Sequence, residues 1–249
     1  MGSALITGAS AGLGTEFAWQ LAGRGHRVVL VARREERLEE IAEEIRELHG
    51  TPVEVLPADL AMVKGRAAVV ERLGQERHPI GLLVNNAGFG LGQRFVGGSL
   101  RREQAGVDVM VKAVLELSHA AAAQMVARGR GAILNVSSMT ASSAMGTYAA
   151  HKAWVRTFTE ALAQELDGTG VTATAVMPGL VRTEFHETAK MGMENMPEWC
   201  WLPAERVVRE ALRATSLGQV LVTPSLRYQA LEVLMRAAPR AVVRKARRP

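Results

Sequence analysis

The sequence predicts an α/β fold: a doubly wound parallel sheet of seven strands, flanked by helices, in one domain over residues 1–249. Three observations predict it. Short apolar, β-branched runs alternate with longer stretches of helical period from one end to the other. Most of these runs are continuously apolar, as strands covered on both faces are. A glycine-rich turn joins the first run to the first helical stretch, where sheets of this kind open a ligand site.

The strands are expected at 4–7, 27–32, 53–57, 80–85, 132–137, 171–176 and 220–222, with helices between them. The stretch 35–49 shows the helical logic: Leu38, Ile41, Ile45 and Leu48 recur at helical spacing, while Glu and Arg fill a solvated face. Two stretches break the alternation. Residues 89–98 are Gly-rich, and 183–203 interrupt the approach to the last helices; long irregular insertions of this kind are more often functional than accidental.

Composition narrows the function. A lone cysteine, Cys200, excludes an internal disulfide, has no neighbouring His or cation to activate it, and fits a reducing, cytoplasmic setting. No Cys/His cluster has metal-ligand spacing. No apolar run reaches the length of a membrane span, and no basic segment precedes an apolar one at the N-terminus. The net charge of +5 comes from the end of the chain, since residues 227–249 carry seven Arg/Lys against one Glu. A near-neutral body with few aromatics argues against a nucleic-acid partner.

The segment Thr7-Gly8-Ala9-Ser10-Ala11-Gly12-Leu13-Gly14 follows the first strand and opens the first helix. Glycines there let the backbone approach a pyrophosphate, which meets free N–H groups and the positive helix end. At the end of the second strand, Val31-Ala32-Arg33-Arg34 lacks the carboxylate that would hold a ribose 2′-hydroxyl. Guanidinium groups suit a 2′-phosphate, so NADP(H) is expected over NAD(H), with Arg33 as the principal contact. Arg34 reads equally well as the start of a charged helix.

Tyr148 and Lys152 fall at i and i+4 on one helical face. A neighbouring ammonium favours phenolate and brings a phenol toward the working range of an acid–base catalyst. Ser137 or Ser138, at the end of the preceding strand, could hold a substrate oxygen.

The glycine turn, Asn85-Asn86-Ala87-Gly88, Ser138, Tyr148 with Lys152, and Pro178-Gly179 with Thr183 occur in this order at strand ends. This set resembles the short-chain dehydrogenase/reductase (SDR) family, with its Rossmann-type fold, over nearly the whole chain. Ala32-Arg33-Arg34-Glu35 and the C-terminal stretch look like the reductases grouped with DltE-type proteins. The resemblance implies that Gly8, Ser10, Gly12, Leu13 and Gly14 line the pyrophosphate turn and that Asp59 and Leu60 meet the adenine. It places Asn86, Ala87 and Gly88 beneath the ribose, and Pro178, Gly179 and Thr183 at the nicotinamide. It makes Tyr148 the acid–base catalyst, Lys152 its partner on the ribose, and Ser138 the residue that orients the carbonyl. It also implies a small carbonyl or alcohol substrate and a homodimer or homotetramer. Without it, Asp59 would read as a helix N-cap.

Two departures stand out. Met110 occupies the position where the family usually has an Asn that distorts its helix and lets a backbone carbonyl hold a water. Ser138 and Tyr148 are ten apart, about three residues closer than usual, each worth at most about 3.5 Å of reach; Ser137 is the fallback. His151 falls off the face shared by Tyr148 and Lys152 and reads as a surface or packing residue. The insertion at 184–203, holding Phe185, Met191, Met193, Met196, Trp199 and Trp201, is a substrate lid in the family and suits a bulky apolar substrate, or else a subunit contact. The segment 226–249 has an apolar helical face followed by Arg240, Arg244, Lys245, Arg247 and Arg248. It either packs on the domain with a frayed tail or makes a peripheral contact with an anionic membrane. The rival readings are a nucleotide-binding protein without efficient turnover and an epimerase or dehydratase of the extended relatives, which the short chain disfavours.

Overall fold

The structure, a computed structural model, describes residues 2–182, 196–239, 241 and 243. Six of the expected strands form as β1 (Ser3–Thr7), β2 (Arg27–Ala32), β3 (Val53–Pro57), β4 (Ile80–Asn85), β5 (Gly131–Val136) and β6 (Val171–Val176). The seventh is shorter than expected; with two further short strands the chain adds β7 (Leu180–Val181), β8 (Trp201–Leu202) and β9 (Leu221–Val222). All pairs in the main sheet are parallel, in the order β3-β2-β1-β4-β5-β6-β9. The direction of winding reverses between β1 and β4, which leaves a crevice at their carboxyl ends. β7 and β8 form a separate two-stranded parallel sheet that the sequence pattern did not announce.

Among the described residues, the longer helices are α1 (Gly12–Gly23), α2 (Glu35–His49), α3 (Val63–Leu73), α4 (Leu100–Val107), α5 (Ala113–Ala127), α6 (Gly146–Glu165), α7 (Ala204–Ser216) and α8 (Leu226–Ala237). Register assigns them to layers. Leu5 is level with Val29 and Leu83, Leu83 with Ile133, and Ile133 with Ala173, so these five share one face, packed against α3, α5 and α6. Their neighbours Ile6, Leu30, Val84 and Leu134 point to the other face, against α1, α2 and α7. One expectation fails locally: Leu48 is exposed, and Ala42 is buried with Leu38, Ile41 and Ile45 on the inner face of α2. α4 and α5 run on through a π-helical turn, Asp108–Lys112, and the run Leu100–Ala127 is long and apolar enough to cross a bilayer. Here Leu117, Ala121 and Met125 pack on the sheet, as in the core helix of a globular domain.

A polar thread crosses the middle of the apolar sheet. Asn85 donates to Ser118 Oγ at 3.0 Å and to Asn135 Oδ1 at 2.9 Å, and Asn135 donates to Thr159 Oγ1 at 2.9 Å. All four residues are buried, so each lost partner leaves a desolvated group costing about 1–3 kcal/mol. Asn135→Leu is therefore expected to lower unfolding free energy by about 2 kcal/mol in urea titrations; unchanged stability would show that the thread is dispensable.

Candidate active site

The crevice between β1 and β4 opens into a cleft of about 580 Å³ that runs from the glycine turn to the start of α6. Gly8, Ser10, Gly12, Leu13, Arg33, Arg34, Asp59 and Leu60 line one end, and Asn86, Ala87, Gly88, Ser138, Tyr148, Lys152, Pro178 and Gly179 line the rest. The sequence-predicted residues are thus brought together, with two exceptions. Gly14 is buried behind the turn, where a Cβ would sit 2.0 Å from Gly8 O; its smallness serves the turn's packing and not the wall. Thr183 lies outside the described residues.

The turn is built for close backbone approach. Gly8 takes a positive φ of 67°, and a Cβ there would meet Ala87 Cα at 2.9 Å. Asn86 fastens the turn to the end of β4: its amide donates to Thr7 O at 3.0 Å and Gly8 O at 3.3 Å. Thr7 Oγ1 accepts from the backbone N–H groups of Asn86 and Ala87. No side chain caps the N-terminus of α1 and no acid occupies its first turn, so its free N–H groups and positive dipole end face the cleft. A pyrophosphate fits this cradle.

At the end of β2 the two arginines differ. Arg34 donates to Ser10 O at 2.8 Å and reaches Ser10 Oγ, bracing the turn. Arg33 is exposed, lines the cleft, and makes no hydrogen bond or ion pair among the described residues. Asp59 is not the N-cap of α3, a position held by Met62; its Oδ1 accepts from Ala61 N at 3.0 Å and so shapes the loop at the cleft edge.

At the other end, Lys152 is buried and its Nζ donates to Val136 O at 2.7 Å. Ser137 is buried, and its Oγ donates to Lys152 O at 2.7 Å, which commits its proton to α6. Ser138 faces the cleft and is hydrogen-bonded to Tyr148. Thr140 N and Thr140 Oγ1 donate to Ser138 Oγ at 3.2 and 3.0 Å. With both acceptor sites filled, the Ser138 proton is left for Tyr148. The short loop between them closes through a 3₁₀ turn at Met139–Ser142 and a Ser143 hydroxyl bonded to Thr140 O, so the reduced spacing does not separate Ser138 from Tyr148.

The electrostatics differ from the sequence expectation. Burial pushes the Tyr148 phenol above its ordinary value, an effect only partly offset by Ser138, and burial also lowers Lys152 to about 8. The lysine Nζ stands 5.8 Å from the Tyr148 ring centroid. In this state Tyr148 is a proton donor and Lys152 an ammonium that sheds its proton just above neutrality. Met110 is fully buried in the π-helical turn, where Ala113 N donates to Asp108 O. The helix is distorted at this position even without an Asn side chain. His151 is a buried packing residue whose Nδ1 has no partner among the described residues.

Three contributors escaped sequence reasoning. Tyr228, on α8, lines the cleft and places its ring where a Gly179 Cβ would be, 2.3 Å from two ring carbons; its hydroxyl donates to Cys200 O at 2.7 Å and accepts from Leu180 N. Thr140 and Val136 O act through partners fixed only by the fold. A glycine after the sixth strand was the sole written sign of the first. Of the insertion, Phe185, Met191 and Met193 lie outside the described residues, and Met196, Trp199 and Trp201 are not among the cleft walls.

Comparison with known proteins agrees with this geometry. Residues 3–193 match the short chain dehydrogenase family. The chain is 34% identical to the NADP-dependent 3-hydroxy acid dehydrogenase YdfG of Escherichia coli, over 78% of this chain and 79% of that protein. Among solved structures, it resembles a short-chain dehydrogenase from Sphingobium yanoikuyae in complex with NADPH, with 33% identity, a TM-score of 0.86, and coverage of 99% and 98% of the two chains. It also resembles the bulky-bulky ketone specific alcohol dehydrogenase from Comamonas testosteroni, with 31% identity, a TM-score of 0.82, and coverage of 97% and 96%. With a match over most of its length and the family's residues converging on one cleft, the chain belongs to the short-chain dehydrogenase family of oxidoreductases.

Proposed function

We propose that this protein is an NADP(H)-dependent oxidoreductase that interconverts a carbonyl and an alcohol with Tyr148 as acid–base catalyst. The observation that carries the reading is the Ser138–Tyr148 hydrogen bond above a buried Lys152, at the far end of a cleft that begins on an uncapped helix N-terminus. A reduced nicotinamide bound there would supply the hydride. The chain's own residues do the rest. In reduction, Ser138 turns its proton from Tyr148 to the substrate oxygen, and Tyr148 gives up its proton as negative charge develops there. Lys152, held beneath by Val136 O, stabilises the phenolate that remains.

Phe89, Val109, Met139, Leu180 and Tyr228 line the cleft and support a bulky, largely apolar substrate. The Comamonas relative, specific for bulky-bulky ketones, points the same way. The Arg33–Arg34 pair and the NADPH-bound and NADP-dependent relatives support the cofactor reading. The DltE-type grouping rests on the Ala32-Arg33-Arg34-Glu35 segment and the C-terminal stretch. Exposed Leu115 and Val126 on α5 support a homo-oligomer.

Tyr148→Phe is expected to cut NADPH oxidation across a carbonyl panel by about 10²–10⁴-fold while NADPH fluorescence titrations remain near wild type; equal rates would remove Tyr148 from the chemistry. Arg33→Ala is expected to shrink the ratio of NADPH to NADH affinity about tenfold or more, the value of one charge-assisted hydrogen bond. A constant ratio would assign the preference elsewhere. The pH dependence follows from Lys152: its burial-lowered pKa of about 8 leaves the ammonium present below that pH and lost as pH rises through it. Reductive kcat/KM is thus expected to be level on the acid side and to fall about tenfold per unit on the alkaline side. A profile without a break between about pH 6 and 10 would count against a role for the lysine charge.

A further inference from the structure

The outer face of α8 presents apolar side chains that nothing in the described chain covers. Leu226, Val233 and Leu234 are 80%, 67% and 66% exposed. At 100° per residue they fall with Ala230 and Ala237 within an arc of about 100°. Trp199, 66% exposed, joins this face through Arg227, whose guanidinium lies 6.0 Å from the Trp199 ring and 5.8 Å from that of Tyr228.

We propose that this face docks on an anionic membrane surface. The choice of occupant rests on charge. Arg227 and Arg236 flank the apolar stripe on its two sides, both exposed. The acids nearest the face are engaged: Glu232 is buried on a hydrogen bond from Thr223, and Glu198, beside Trp199 and itself exposed, is paired with Arg182. The sequence beyond α8 adds five Arg/Lys and no acid. A second copy stacked on the same face would oppose these cations to one another, whereas phosphate headgroups neutralise them while Leu and Trp enter the acyl boundary. Tyr228, on the inner side of the same helix, lines the cleft, so docking holds the cleft beside the bilayer. That placement suits an apolar carbonyl dissolved in lipid, a consequence that rests on the reductase reading above; the docking itself does not.

The test is sedimentation of the full chain with phosphatidylcholine vesicles and with vesicles also containing phosphatidylglycerol. Binding is expected only to the anionic vesicles, weakened by salt, and reduced about tenfold or more by combined Leu226→Gln, Val233→Gln and Leu234→Gln. Those exposed positions should leave thermal unfolding unchanged; should the triple variant misfold, Arg236→Glu, expected to weaken anionic binding, takes its place. Absence of vesicle binding, or binding that these variants do not alter, overturns the proposal. Self-association abolished by the triple variant, without vesicle binding, assigns the face to a second copy instead. Because sedimentation needs neither turnover nor cofactor, its failure is distinct from failure of the reductase reading.

Discussion

A buried ammonium governs how this site is built. Taking a lysine out of water costs several kcal/mol unless the charge finds a hydrogen-bonded place, and Lys152 finds one on Val136 O at 2.7 Å. The bond has a counterpart: Ser137, the next residue along, donates to the backbone oxygen of Lys152. Two adjacent residues at the end of β5 thereby hold both the side chain and the backbone of one residue of α6. Sheet and helix cannot slide without breaking both contacts. Tyr148, one turn earlier on α6, inherits its position from that clamp, and Ser138 inherits its own from the same strand end.

The opposite end of the cleft follows a different logic, in which space matters more than charge. Glycine at positions 8 and 14 lets the turn and the first helix approach within distances that a Cβ would forbid. Asn86 then ties the turn to β4 with its amide. The result is a set of backbone N–H groups with no side chain in front of them, a surface suited to an anion because the protein has left those donors unpaired. Arg34 reinforces the turn from outside, which divides labour between two arginines that look alike in sequence.

Much of this was legible in the sequence because it depends on local pattern. Continuous apolar runs located six strands nearly to the residue, and spacing put Tyr148 and Lys152 on one face. What stayed hidden depends on partners far along the chain. Nothing near Ser137 and Ser138 distinguishes them; only the fold gives the Ser137 hydroxyl to Lys152 O and the Ser138 hydroxyl to Tyr148. Leu48 satisfied the helical period but lies at the end of α2 beyond the edge of the core, where periodicity carries no information about what faces it. Tyr228 fills the space before Gly179 from 49 residues away, a contact that pattern reading along the chain has no means to see.

Met110 shows where a substitution that looks decisive in sequence is absorbed by the backbone. The family's Asn is read as the cause of a distorted helix, and a methionine cannot make that side-chain contact. Yet the π-helical turn persists, with Ala113 N reaching Asp108 O and Met110 fully buried between Gly88 and Gly106. Near Gly106, a Cβ would come within 2.9 Å of Leu91 Cδ2, 3.2 Å of His151 Cε1 and 3.5 Å of Met110 Cε, so the helix fits against its neighbours only where the side chain is absent. Tight packing of this kind can hold a widened turn as firmly as a hydrogen bond, because interiors tolerate neither voids nor overlap. A thioether fills the space flexibly. The distortion behind Lys152 is thus a property of how the helix is seated, and in this chain it needs no polar side chain at position 110.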